Sequence, residues 1–259
     1  MPKQFLNYGF GIVAALAGLL STTAHADFIG LYAGVDGMYT KAEDSAGQSD
    51  DKFNAVYNLA FEHPVPFVPN IKLRYSDFSK ADSSLNTSYM NTGLAGSTGT
   101  NGLLLNPYAG LTGQYQVEVN SLDAIGYYEI LDNIVSVDAG LGVKRVNTKE
   151  TVRLSAGNVA TVAKNNYDET VPALYVAAGG KLPFTGFSAK AEVMAGQNSD
   201  ADFSDINAEV KYNFIQNIAL DLGAKFGYRV MTINFDDDSD SSFDKIEAKG
   251  PYLGLEAHF

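Results

Sequence analysis

Few side chains here could move a proton near neutral pH: the 259-residue chain has three histidines, His25, His63 and His258. Sulfur chemistry is out of reach, because there is no cysteine to serve as thiolate nucleophile, metal ligand or disulfide partner. The remaining cluster of reactive groups is acidic. In "NFDDDSDSSFD" (234–244) five aspartates fall between Asp236 and Asp244, and clustered carboxylate oxygens suit Ca²⁺ or Mg²⁺. The run lacks the glycine and the distal glutamate of an EF-hand loop, so a solvated, self-repelling acidic segment is expected over 236–244. No catalytic, cofactor-binding or metal-ligating residue is assigned, and no cofactor is expected.

The elements that would have to position any such group begin after a leader. Lys3 gives a weakly positive start, "GFGIVAALAGLL" an apolar run, and "AHA" at 24–26 small residues at both recognition positions, which reads as a signal peptide over 1–26. The twelve apolar-run residues Gly9 to Leu20 fall short of the ~20 that a membrane-spanning helix needs. Loss of that leader removes one basic residue and takes the net charge from −12 to −13. So acidic a chain repels phosphate backbones, and nucleic acid is not an expected partner.

From Asp27 to Phe259 the apolar residues recur at every second position, in stretches of strand length. "IGLYAGVDGMY" sets Ile29, Leu31, Ala33 and Val35 against Gly30, Tyr32, Gly34 and Asp36. "FNAVYNLAFE" sets Phe53, Ala55, Tyr57, Leu59 and Phe61 against Asn54, Asn58 and Glu62. The closing "PYLGLEAHF" puts Leu253, Leu255, Ala257 and Phe259 on one face and Tyr252, Gly254, Glu256 and His258 on the other. Alternation of this kind fits a soluble β-sandwich and a membrane barrel equally well.

The connections separate the two. Ten strands are expected near 27–40, 53–63, 68–79, 115–130, 134–148, 169–182, 186–197, 202–213, 217–233 and 245–259. Between successive pairs come tight or proline-stiffened turns, "HPVPF", "LDN", "LPFTG" and "FIQN". At the other end come 41–52, 80–114, 149–168, 198–201 and 234–244, mostly long and rich in Asp, Ser, Asn and Gly. Short turns at one end and long polar loops at the other mark a transmembrane up-and-down antiparallel β-barrel of about ten strands, with eight or twelve as alternatives. Both termini then lie at the short-turn, periplasmic end. With no Trp, the interfacial aromatics must come from 15 Tyr and 15 Phe, among them Phe61, Phe67, Tyr128, Phe184, Phe214 and Phe259.

Two stretches depart from the scheme. In "YQVEVNSLDAIGYYEI" the apolar phase moves from Val117 and Val119 to Leu122, Ala124, Tyr128 and Ile130, which predicts a bulge or a strand rising clear of the bilayer near Asn120. In "PALYVAAGGKL" both faces are nearly apolar and the register is open. The segment "GLAGSTGTNGLLLN" has room for an extra hairpin or helix.

The "ADFIGLYAGV" start, "NSLDAIGYYEILDN", the Gly179-Gly180 pair and the terminal Phe together resemble a family of proteobacterial outer-membrane barrels carrying a glycine pair. That resemblance runs along the whole mature chain, 27–259, and implies a location in the outer membrane and a fold rather than a chemistry. The C-terminal strand is also similar to the signal read by the barrel assembly machinery, with Gly254, Ala257 and Phe259 at the matching positions. Ala257 is smaller than the residue usual there.

Outer-membrane barrel enzymes hold a histidine near the outer face. Here His63 and His258 fall at the short-turn end and His25 leaves with the leader, so no placed general base is expected and the chain is read as non-enzymatic. The lumen side carries charges of both signs: Glu62, Lys72, Arg74, Asp138, Lys144, Lys190 and Glu192, then Asp205, Glu209, Lys211, Asp221, Lys225, Arg229 and Glu256. Barrels of ~8 strands are filled by side chains and open channels need ~16, so these charges are expected to form a structural ion-pair network, with a narrow porin-like channel as the alternative. The expected partners are outer-membrane lipid and lipopolysaccharide, bridged to the acidic rim by divalent cations, and the assembly machinery. The competing class is a soluble periplasmic β-sandwich that binds a ligand.

Overall fold

In a computed structural model of the protein, the described residues are 29–43, 49–85, 111–156, 159–217, 220–235 and 245–259. The leader, the segment "GLAGSTGTNGLLLN" and the acidic run 236–244 lie outside them, and with them the expectations of a signal peptide, of an extra element and of a cation-bridged rim.

Ten strands are described: β1 (Gly30–Glu43), β2 (Ser49–Glu62), β3 (Asn70–Leu85), β4 (Leu111–Asp132), β5 (Val135–Ala156), β6 (Val159–Lys181), β7 (Phe187–Gln197), β8 (Ala201–Gln216), β9 (Asp221–Phe235) and β10 (Lys245–His258). Each pairs antiparallel with its neighbours in sequence, and β1 pairs with β10 to close the barrel. The closure is hydrogen-bonded to the last residue: Phe259 N donates to Leu31 O at 2.9 Å and Leu31 N donates to Phe259 O at 3.1 Å. Closure removes the unpaired edge that a lipid environment cannot hydrate.

The expected faces hold around the wall. Leu31, Val35, Tyr57, Leu59, Leu73, Leu141, Val143, Val193, Phe226, Leu253 and Leu255 point outward and are exposed. Between them the inward residues are buried or half-buried. The six aromatics expected at the short-turn end, Phe61, Phe67, Tyr128, Phe184, Phe214 and Phe259, are all exposed there. Phe67 and Phe184 occupy the tips of their turns with φ of 67° and 63°, a left-handed conformation that bulky residues rarely adopt.

The wall differs from expectation in three places. Of the two alternatives expected for β4 near Asn120, the bulge is absent, because the pairing runs continuously from Val119 to Tyr127 against β3 and from Val117 to Glu129 against β5, whereas a strand of 22 residues is long enough to rise clear of the bilayer. The apparent phase shift has another cause: Val119 points inward with Ser121, Asp123, Ile125 and Tyr127, so the backbone keeps its phase while the hydrophobicity of the inner face changes. The irregularities of β4 and β3 sit elsewhere, between Glu129 and Leu131 and between Ser79 and Ala81.

Second, 149–156 and 159–168 are strand rather than loop. β5 and β6 run on through them in unbroken register to Ala156 and Val159. Within them 151–156 does alternate, Val152, Leu154 and Ala156 opposing Thr151, Arg153 and Ser155, but the facing 159–166 does not, so only one strand of the hairpin carries a sequence signal. Strands β4, β5 and β6 thus reach 22, 22 and 23 residues, whereas β7 has 11. A tilted span of the bilayer needs only ~9–11, so this side of the barrel stands well above the rest. Third, strand bounds shift: β2 begins at Ser49 rather than at 53, β3 runs to Leu85 rather than to 79, β4 begins at Leu111 rather than at 115, and β9 begins at Asp221 rather than at 217. The open register of "PALYVAAGGKL" resolves with Ala173, Tyr175 and Ala177 inward, because only then does the Tyr175 hydroxyl reach a charged partner, Glu192.

Candidate functional site: the closed lumen

Every strand delivers inward side chains at each level, so the lumen can be followed upward from the short turns. At the bottom is a vestibule of about 180 Å³. Tyr32, Glu62, Lys72, Tyr127, Glu129, Asp138, Lys190, Lys211 and Glu256 line it. Tyr127 Oη donates to Glu62 at 2.6 Å, and Lys190 Nζ lies 3.3 Å from Asp138. Gly179 faces this space, where a Cβ would come within 2.8 Å of Ser136 Oγ, whereas at its neighbour Gly180 the nearest atom is 3.6 Å away. Only the first member of the glycine pair is thus demanded by crowding.

Above the vestibule lies a layer of buried ions. Asp205 is its centre: Arg229 donates to both carboxylate oxygens at 2.8 and 2.6 Å, Lys144 donates at 3.1 Å, and Arg74 approaches to 3.7 Å. Lys144 also reaches Asp123 at 2.5 Å. A second node is Glu192, which accepts from Lys72, Arg74 and, at 3.0 Å, the Tyr175 hydroxyl. A third is Lys225, 2.9 Å from Asp36 and within 4 Å of Glu209 and Glu256, the latter also accepting from Lys211 at 2.7 Å. Lys144, Asp123 and Asp205 have side chains with no exposure at all. Charges so far from water are tolerable only as a mutually neutralising network. Backbone without side chains makes room for it: a Cβ at Gly254 would stand 1.9 Å from Asp36 Oδ1.

Above the ions the lumen turns apolar. Met38, Phe78, Val119, Val146, Val171, Met194, Phe203, Met231, Ile233 and Ala248 point inward, are buried and form one packed cluster. The two layers are joined by rings facing cations, Phe203 at 5.1 Å from Lys144 Nζ and Phe78 at 5.5 Å from the Arg229 guanidinium carbon. Across this level the barrel is filled as a protein core is filled, and the vestibule is closed on its outer side.

All fourteen charges expected on the lumen side point into the lumen, and most of them pair there. Sequence reasoning left out Asp123, because the supposed phase shift hid its face. Had the register been carried unchanged through Asn120, Asp123 would have fallen between Arg74 and Lys144, the residues it opposes on both neighbouring strands. It also missed the apolar plug, for which alternation carries no signal. The two histidines among the described residues make local contacts: His63 Nδ1 accepts from Val65 N at 3.2 Å, and the His258 ring stacks on Tyr32 with centroids 4.1 Å apart.

A closed antiparallel barrel with an apolar outer belt, polar vestibule and short turns at the end where β1 begins and β10 ends is a transmembrane β-barrel of the outer-membrane type. No family model matches the chain, and no curated protein matches it. Solved outer-membrane barrels are similar in fold. Neisserial surface protein A shares 12% identity over 87% of this chain and 95% of its own, with a TM-score of 0.34. The translocator domain of autotransporter NalP from Neisseria meningitidis shares 9% over 97% of this chain and 95% of its own, at 0.45. The outer-membrane protease OmpT from Escherichia coli shares 9% over 93% of this chain and 98% of its own, at 0.42.

Proposed function

We propose that the protein is a non-conducting, non-catalytic barrel of the outer membrane that anchors a projecting β-ribbon at the cell surface. The observation that carries this reading is the double seal of the lumen, an ion-pair layer around Asp205 and Glu192 under an apolar plug around Phe203 and Met231. The cavity reaches the ion-layer residues Arg74, Glu192, Lys225 and Arg229 and Met38 of the apolar cluster, so the plug is the layer expected to bar hydrated ions. Liposome-swelling assays with the reconstituted protein test the reading, with swelling rates in arabinose and KCl expected to match those of empty liposomes. Solute entry at porin-like rates would instead support the narrow-channel reading, which draws on the vestibule at the periplasmic end.

The C-terminal strand is proposed to serve twice, closing the barrel and addressing the chain to the assembly machinery. Deleting Phe259 removes two closing hydrogen bonds out of a register that otherwise extends along β10. Insertion in cells is therefore expected to fall more than the urea stability of protein refolded in vitro. Normal outer-membrane yield of the truncated chain would remove the address function and leave the closure intact.

A further inference from the structure

The chain is acidic overall, yet its projecting ribbon is basic on one side. Along β5 the outward positions after Val143, the last exposed apolar residue of the belt, include Arg145, Lys149 and Arg153, and on β6 Lys164 stands opposite Thr151. All four side chains are exposed. The acidic residues on the same face of β4 to β6 sit low: Asp168 binds Arg145 at 3.2 Å and accepts from Asn147 at 2.7 Å, and Glu118 is registered opposite Lys149. Among the described residues on this face of those three strands, no acidic side chain stands higher than Glu118, and the next acidic position, Asp82 of β3, is set apart from Thr151 by Gln116, so Arg153 and Lys164 form a cationic pair with no acidic residue opposite on an adjoining strand.

Height decides what such a pair can meet. A strand rising ~3.3 Å per residue at ~45° tilt climbs ~2.3 Å per residue, which places Arg145 ~5 Å and Arg153 ~23 Å above the last lipid-facing residue. A phospholipid headgroup layer is only ~5–8 Å deep on each side of the hydrocarbon. Arg145 lies at headgroup level, where its charge is already met by Asp168. Arg153 and Lys164 lie well above it, out of reach of any phospholipid phosphate, and they face sideways along the membrane rather than into the barrel. The ligand must therefore be anionic, anchored in the same leaflet, and carry its charge far from the bilayer.

We infer that the outward face of the β5–β6 ribbon binds the phosphorylated oligosaccharide of an outer-leaflet glycolipid, with Arg153 and Lys164 as the principal phosphate contacts. A guanidinium and an ammonium on adjacent strands suit phosphate groups on a flexible saccharide, one bidentate and one as a point charge. The inference rests on the proposed orientation, with the long strands on the cell-surface side.

The test uses the full mature chain refolded in detergent micelles, titrated with isolated lipopolysaccharide, with the same material after chemical dephosphorylation, and with phosphatidylglycerol. Heat-modifiable migration checks folding of each variant. Each surface charge contributes about fivefold in affinity, so R153Q/K164Q is expected to weaken lipopolysaccharide binding about twenty-fivefold. The charge-preserving R153K/K164R should keep most of it, and phosphatidylglycerol binding should not change. Equal binding by wild type and R153Q/K164Q, or equal binding of the dephosphorylated glycolipid, would overturn the inference while leaving the sealed barrel intact. A wild-type chain that fails to insert into liposomes would overturn both.

Discussion

The two halves of the lumen are closed by opposite chemistry. In the lower half seven or more ionised groups neutralise one another around Asp205, Glu192 and Lys225; in the upper half methionine, valine, isoleucine and phenylalanine side chains pack as in a soluble core. The difference teaches how wall side chains of two kinds can together fill a ten-strand barrel, too wide to be filled by small side chains and too narrow to conduct freely. Ion pairs supply directional contacts that fix which strands face one another. The apolar layer supplies bulk and excludes the water that would weaken those pairs.

The contrast can be broken from either side. Asp205→Asn leaves Arg229, Lys144 and Arg74 around an uncharged amide, and breaking such a buried network is expected to cost about 3–5 kcal/mol, read as a lower urea midpoint of the reconstituted barrel. Met231→Ala, fully buried in the plug, should cost about 2–3 kcal/mol, the low end of the large-to-small range, because neighbouring side chains in a lumen can partly fill the gap. If the Met231 variant proved the more damaging, the apolar layer rather than the ionic one would dominate the interior. Arg145→Gln removes an exposed pair and should change stability by less than about 0.5 kcal/mol.

The smallest effect expected is one of pH. Hydrogen bonds from Asn147 and Arg145 hold the exposed Asp168 carboxyl below its ordinary range. A depressed carboxylate stabilises the folded state above its unfolded pKa and loses that contribution as pH falls toward its folded value. Amide protection factors at the β5–β6 junction, corrected for the intrinsic exchange rate, should fall on acidification through the lower carboxylate range, and Asp168→Asn should abolish that dependence.

Much of the wall was readable from sequence because lipid and lumen impose opposite chemistry on alternate residues: Leu253 and Leu255 face lipid, while Glu256 and Tyr252 face in. The parity of connection lengths carried the topology, and the pairing of β1 with β10 followed from it. What escaped was whatever abandons that opposition. An inward Met38 or Val119 has the same hydrophobicity as a lipid-facing neighbour, so the plug looked like a phase error. In the ribbon, 159–166 shows no alternation and reads as loop, although it is strand and pairs with the alternating 151–156. Likewise, partners within the ion network join strands far apart in sequence, such as Arg74 with Glu192 and Arg229 with Ser76, and only closure brings these together.

The double seal is tested most directly by planar-bilayer recording of the refolded chain at both polarities. The account predicts a flat baseline for the wild type in 1 M KCl, a salt concentration on the order of that which screens exposed charges to ~3 Å but leaves buried pairs largely untouched. Steady ohmic conductance from single wild-type insertions would contradict it, since neither the ion-pair layer nor the plug could then be closed as described.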